Sequence, residues 1–409
     1  MPARFFGDKV VAATFVMAVF GWGIGFYGPP IFMYAVMQKT GWSQALCSAA
    51  VTLHFLAGTL VVVNLPRLYR HIGLPLTTVV GVITLSVGVF AWSAAAQPYQ
   101  LFIAATLSGF GWVTLGAAAV NAVIAPWFVS KRPGALAKAY NGASIGGVIF
   151  SSAWVYLIGS VGFANAAIGV GIVSVAVIGL LCFTVFNVRP QQLGQYPDGA
   201  AGAPLDTAQT ATAPVLTLTS NRQFMTLAAA MSLGLFAQIG LVSQLFLLLS
   251  RHVTEHTAGL ALGVATASAI AGRSVATRLL ARAINRRTVA CLSYGCQVAG
   301  CVSLIGLSAS PVLLWLGVML FGMGIGNATS LPPLIAQAEF PRQQVQRVVT
   351  LIVAIAQGCY AFAPVVFGGV GSLMSERSGD WTLLGIAACI QLLAIVALQM
   401  GRHSKSIKH

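Results

Sequence analysis

The chain has 409 residues, of which 57% are hydrophobic and 7% charged, and its formal net charge is +15. A soluble protein of this length carries roughly 25% charged residues, so the composition excludes a soluble fold and requires a polytopic membrane protein. The positive charge does not point to nucleic acid, because it falls in short loops where the positive-inside rule accounts for it.

Apolar stretches of about 20 residues, enough to cross a bilayer core, recur from end to end. The first six cover 10–36, 43–64, 75–95, 100–126, 135–158 and 164–186. The opening run is too long to read as a cleavable signal peptide. Within it, Gly28-Pro29-Pro30 predicts a break or kink. A polar stretch over 187–222, with Pro, Gly, Ala and Thr, shows little apolar periodicity. Six further spans cover 223–249, 257–280, 289–308, 311–336, 347–370 and 380–400. The pattern predicts an all-α integral membrane protein with twelve transmembrane helices in two six-helix bundles. The bundles are 1–190 and 223–409, joined by a linker over 191–222.

Lys and Arg set the orientation. With the N-terminus inside, eighteen fall in cytoplasmic segments, three (Lys39, Arg251, Arg377) fall outside, and Arg273 is left over within a span. That bias places both termini and the linker in the cytoplasm and supports an even number of spans. The seven cysteines lie in apolar segments without metal-ligand spacing and read as packing residues. No cofactor or metal is expected.

Basic residues recur between the second and third span of each half. Pro66–Gly73 carries Arg67 and Arg70, and Thr277–Arg286 carries Arg278, Arg282 and Arg286, with Arg287 next to them at the same wet end. These read as loops that set topology and gating, as do Lys131 and Arg132 between the fourth and fifth spans. The paired basic loops and the six-plus-six pattern resemble the major facilitator superfamily over essentially the whole chain. Two further stretches are similar to its branch of monocarboxylate-transporter-like and oxalate/formate-antiporter-like carriers. One is Trp127-Phe128-Val129-Ser130-Lys131-Arg132-Pro133-Gly134-Ala135-Leu136-Ala137, and the other is Gly41-Trp42-Ser43. The resemblance implies the major facilitator fold, a bacterial inner-membrane location and a carrier that functions as a monomer.

In the eighth span, Gly259, Gly263, Ala267 and Ala271 recur every four residues and predict a smooth stripe for close helix packing. Arg273 lies nearly opposite, on a face with Thr266, Ala269, Ala276 and Thr277 that could border a cavity. An arginine at membrane depth costs at least about 2.5–3.5 kcal/mol and faces a bundle interior or a water-filled path. Its planar fork matches a carboxylate. The alternative is a structural arginine that reaches a helix-end carbonyl or snorkels to the cytoplasmic network. The resemblance supports substrate contact, because Gly272-Arg273 falls where the branch keeps its substrate arginine. The aspartate that eukaryotic members carry four residues earlier is Ala269 here.

All seven carboxylates fall in loops or at span ends, so an Asp or Glu proton relay is not expected. His54 in the second span is the one intramembrane group that titrates near neutral pH. It reads as a proton carrier or as a hydrogen-bonded packing residue. Tyr27, Asn121, Gln238 and Asn327 sit in the first, fourth, seventh and tenth spans, which the resemblance implies line the central path. Tyr360 in the eleventh span joins them as a polar candidate. Glycine pairs one turn apart, Gly21/Gly25, Gly142/Gly146 and Gly322/Gly326, read as close-packing sites.

The expected function is secondary active transport of a small organic anion, a monocarboxylate first, by alternating access with proton symport or anion exchange. The alternatives are an exporter of amphipathic or toxic compounds with the same fold and, remotely, a membrane-embedded sensor or enzyme. The expected partners are that small anion, a coupled proton and the lipid bilayer.

Overall fold

The computed structural model describes residues 5–200, 218–306, 310–374 and 376–402. Among these, twelve helical spans are long and apolar enough to cross a membrane. Eleven begin and end within four residues of the sequence expectation, for example Leu74–Ala94 and Phe163–Phe186, and the second runs on to Ile72, past its expected end at 64. The chain is a multi-pass integral membrane protein, and its described secondary structure is helical. Part of the expected linker, 201–217, lies outside the described residues, as do Lys405 and Lys408.

The chain divides into two compact units. The first holds Met1–Ala208 with Leu249–Gly263, and the second holds Gln209–Leu248 with Val264–His409. This division differs from a cut within the linker by moving the turn after the seventh span. Hydrogen bonds explain the move: Tyr34 Oη donates to Glu255 Oε1 at 2.9 Å and Arg251 Nη2 to Gln44 Oε1 at 3.3 Å. Gly259 and Gly263 also pack against the backbone of Ser151 and Val148.

In the first unit the helices are α1 (Gly7–Gly25), α2 (Gly28–Thr40), α3 (Gln44–Ile72), α4 (Leu74–Ala94), α5 (Pro98–Trp112), α6 (Ala117–Ile124), α7 (Arg132–Val161) and α8 (Phe163–Leu181). The first span breaks at Phe26–Tyr27, and Pro29 and Pro30 open α2, where their missing N–H groups cost nothing. The fourth span also breaks, between Trp112 and Ala117, without a proline to announce it. Gly142 and Gly146 of α7 face the Phe15 and Val19 carbonyls of α1 so closely that a methyl group at either would collide. Both glycines therefore pack helices.

One expectation is corrected here. Arg67 and Arg70 are not in a loop, because α3 continues through Pro66 to Ile72. The turn to α4 is Gly73 alone, at φ +81°, a conformation that glycine reaches without steric cost. Lys131 and Arg132 stand at the start of α7.

That start is held by the linker. The Asp198 carboxylate accepts from the backbone N–H groups of Val129, Ser130 and Lys131 at 3.1, 2.8 and 3.1 Å, and from Ser130 Oγ at 2.8 Å. Asp198 N donates to the Trp127 carbonyl at 2.9 Å, and Lys131 Nζ donates to the Asp198 carbonyl at 3.1 Å. The price is a left-handed backbone at Asp198, with φ +62°. Phe5 and Phe6 pack on Trp127, and Phe6 N donates to Gln195 Oε1 at 2.9 Å, so three distant segments meet at this point.

The second unit contains α9 (Arg222–Ser250), α10 (Glu255–Ala281), α11 (Arg286–Ile305), α12 (Pro311–Ile325), α13 (Asn327–Glu339), α14 (Arg342–Tyr360), α15 (Ala363–Leu373) and α16 (Glu376–Met400), the ends of α9 and α10 near their shared turn grouping with the first unit. The tenth span breaks at Gly326, and the eleventh at Ala361–Phe362, just before Pro364. Arg278 lies on α10 and Arg286 opens α11, so the basic loop shrinks to 282–285, with Arg282 exposed. Arg286 Nη1 donates to the Leu334 carbonyl. Arg287 is a larger correction. Read as a wet loop arginine, it is 1% exposed and paired with Glu339 at 2.7 Å.

Candidate functional site

The second unit places Arg273 beside the break of the tenth span. Gly272 packs so closely on the Met323 carbonyl of α12 that no side chain fits, and Gly322 packs likewise on Ala265 of α10. This contact fixes the rotation of α10. Thr266, Ala269 and Ala276 are buried by it, and Thr277 Oγ1 donates back to the Arg273 carbonyl at 2.9 Å. The face expected to border a cavity is therefore mostly packed, because the Gly272 approach turns it toward protein. Ala267 and Ala271, expected in the packing stripe, are exposed instead.

Arg273 is half-buried and stretches across Gly326, whose missing side chain makes room for it; a Cβ there would lie 3.0–3.1 Å from the Arg273 Cγ, Cδ and Nε atoms. The next residue is Asn327. Its Nδ2 donates to the Gly272 and Met323 carbonyls, both at 3.3 Å, and its Oδ1 is buried with no protein donor. Arg273 and Asn327, apart in sequence, thus share one helix break.

Gln238 and Tyr360 are placed differently. Gln238 is 3% exposed, and its Oε1 accepts from Gln297 Nε2 at 2.9 Å. Gln391 Nε2 in turn donates to Gln297 Oε1, so three buried amides cross the unit in a chain. Tyr360 is half-buried against the apolar core of α9, α11, α13 and α14.

The first unit offers an aromatic counterpart around its own two breaks. Tyr27 is buried at the first break, edge-on to Phe26 at 5.0 Å. Trp22 meets Trp112 at 6.3 Å and Tyr140 at 6.0 Å, both edge-on. Asn121 Nδ2 donates to Tyr140 Oη at 2.7 Å and to the Ala117 carbonyl at 2.9 Å. Sequence reasoning named Tyr27 and Asn121 and missed Trp22, Phe26, Trp112 and Tyr140. Phe26 had a signal in the neighbouring Gly28-Pro29-Pro30, whereas the break at Trp112 carries no proline and the contacts of Tyr140 join helices far apart in the chain.

His54 is 1% exposed. Its Nδ1 lies 2.8 Å from Ser108 Oγ and its Nε2 lies 2.9 Å from the Gly25 carbonyl. A carbonyl only accepts, so Nε2 carries a proton and donates it to Gly25. Both ring nitrogens are therefore engaged by protein groups.

A family model described as Major Facilitator Superfamily matches residues 11–364. The chain belongs to that superfamily. Among solved structures of the same fold, it resembles the nucleoside transporter NupG, with TM-score 0.72 and 13% identity over 98% of this chain and 100% of that one. It also resembles the D-xylose-proton symporter, with TM-score 0.73 and 13% identity over 97% of both chains. A curated relative, MFS transporter asaE of Aspergillus flavus, is 26% identical over 310 residues, covering 75% of this chain. The chain spans about two thirds (66%) of that relative's length. The superfamily and these neighbours are membrane transporters rather than enzymes.

Proposed function

We propose that this major facilitator protein is a secondary active transporter of a small organic anion, a monocarboxylate first, working by alternating access. The observation that carries the reading is Arg273, a guanidinium at membrane depth stretched over the break of the tenth span beside Asn327. Its fork would hold one carboxylate through two parallel hydrogen bonds. One cation favours a single carboxylate over a dicarboxylate. Gln238 and Tyr360 would act behind the site, given the amide chain and the core packing that hold them. Proton symport and anion exchange both remain compatible with a carboxylate cargo. A bacterial inner-membrane location with cytoplasmic termini follows from the charge bias and the branch resemblance.

The test is uptake into proteoliposomes of labelled acetate, lactate, pyruvate and an aromatic acid, with and without a pH gradient. The expected result is saturable uptake of at least one acid, lost in Arg273→Gln and in Arg273→Lys. Uptake at wild-type affinity by folded Arg273→Gln would remove the central claim. A second reading, export of amphipathic compounds, is favoured by the aromatic cluster of Trp22, Trp112, Phe26 and Tyr140. Resistance to such compounds that depends on the gene, without acid uptake, would select it.

A further inference from the structure

The first unit holds an apolar groove that the transport reading does not use. It opens where the third span begins and the second, fourth and sixth spans end, and its volume is about 840 Å³, within the range of ligand sites. Ile72, Leu76, Val79 and Phe183 supply much of its apolar lining. Leu76 and Phe183 are exposed although they belong to membrane spans, so they meet lipid rather than protein, and Ile72, exposed at the end of α3, stands at the mouth of the groove.

Two local features shape it. The end of the sixth span, Cys182–Phe186, is a π-helical turn, an uncommon geometry that recurs at functional sites. It brings Phe183, Val185 and Phe186 to the groove. Tyr69 also lines the groove, and its hydroxyl is buried with no protein partner. Arg189 is the one charged residue in the lining, and it is exposed just beyond the sixth span. Arg67 and Arg70, on the last turns of α3, add exposed positive charge at the same end.

We infer that this groove binds an anionic phospholipid of the surrounding leaflet, with an acyl chain along Leu76, Val79 and Phe183 and the phosphate on Arg189. The apolar wall alone would accept any lipid. The cation, with no carboxylate in the lining, selects a headgroup of net negative charge. The unpartnered Tyr69 hydroxyl adds a donor below the headgroup, at the depth of the ester oxygens. The inference is independent of Arg273 and of the cargo.

The experiment is native mass spectrometry of the purified full chain, delipidated and exposed to equal amounts of phosphatidylglycerol and phosphatidylcholine with identical chains. The wild type should retain phosphatidylglycerol about five-fold over phosphatidylcholine, the preference one basic residue near a membrane surface supplies. Arg189→Gln should abolish the preference while keeping both lipids. Val79→Trp, which fills the groove, should lower retention of both. Inorganic phosphate should not displace the bound lipid. Equal retention of the two lipids by the wild type, an unchanged preference in folded Arg189→Gln, or full displacement by inorganic phosphate overturns the inference.

Discussion

Arg287 is closed in on every side, whereas Arg273, one helix earlier, lies half-buried across a glycine. The Arg287 guanidinium donates to both Glu339 carboxylate oxygens at 2.7 and 2.8 Å, to Thr226 Oγ1 at 3.2 Å, and to the Leu398 and Gln223 carbonyls at 3.1 and 3.2 Å. These bonds tie α9, α11, α13 and α16 together. An arginine so fully engaged has no capacity left for cargo. Arg273 occupies a position whose neighbours are a helix break and an amide with an unpartnered acceptor. The same side chain is therefore a fastener in one place and a candidate ligand in the other, and burial makes the difference.

Breaking the fastener should have the largest effect. Arg287→Ala leaves Glu339, 20% exposed, without its cation and breaks a mostly buried pair, which costs up to about 3–5 kcal/mol. Thermal unfolding in detergent should show a large fall in midpoint or no folded protein. The double variant Arg287→Met with Glu339→Leu should recover most of the loss, since removing both charges removes the desolvation problem.

His54 separates partner number from charge. His54→Ala strips the Gly25 carbonyl and Ser108 of a buried partner, a loss of roughly 1–3 kcal/mol. His54→Gln should recover part of that stability. The pH profile of uptake should stay unchanged in His54→Gln, and a displaced profile would select the proton-carrying role.

Arg273→Gln should be the reverse of Arg287→Ala. Stability should move by less than about 1 kcal/mol, while uptake falls roughly 10- to 150-fold, the value of hydrogen bonds to a charged group. Equal unfolding losses for Arg273→Gln and Arg287→Ala would erase the contrast.

The smallest effect belongs to Asp198, which has nearly as many bonds as Arg287 but sits in water. Slight burial pushes its carboxyl upward, yet the bonds from Ser130 Oγ and the three backbone N–H groups outweigh this and hold it below the ordinary carboxylate range. A depressed folded pKa stabilises the fold above the unfolded value, about 3.9, and that contribution is lost as pH falls through the lower folded value. Asp198→Asn should therefore lower the unfolding midpoint slightly at pH 7, and the gap should close below about pH 4. A gap as large as that of Arg287→Ala would show that bond number, not burial, sets the cost.

Much of the fold was legible because hydropathy is written residue by residue. Each span needs only its own run of apolar side chains, so the boundaries emerged without tertiary information. The break in the first span was legible through Pro29 and Pro30, whereas the break after Trp112 carries no proline and was not. Arg67 and Arg70 looked like loop residues because charge suggests water, yet a helix can run past the membrane into water and keep its hydrogen bonds. At the candidate site, Arg273 stood out by its surroundings, while its pairing with Asn327 and the aromatic contacts of Tyr140 depend on helices far apart in the chain.

By itself the sequence determined the membrane class, the twelve spans and the odd position of Arg273, because all of these are sums or contrasts along the chain. Only the tertiary structure decided that Arg287 is spent on Glu339, that Gln238 is held by Gln297, that His54 is satisfied on both sides, and that Asp198 pins the linker to the start of α7. The physical reason is that a polar group in the interior must find its partner across space, and close glycine contacts such as Gly272 on Met323 set the helix rotations that choose it.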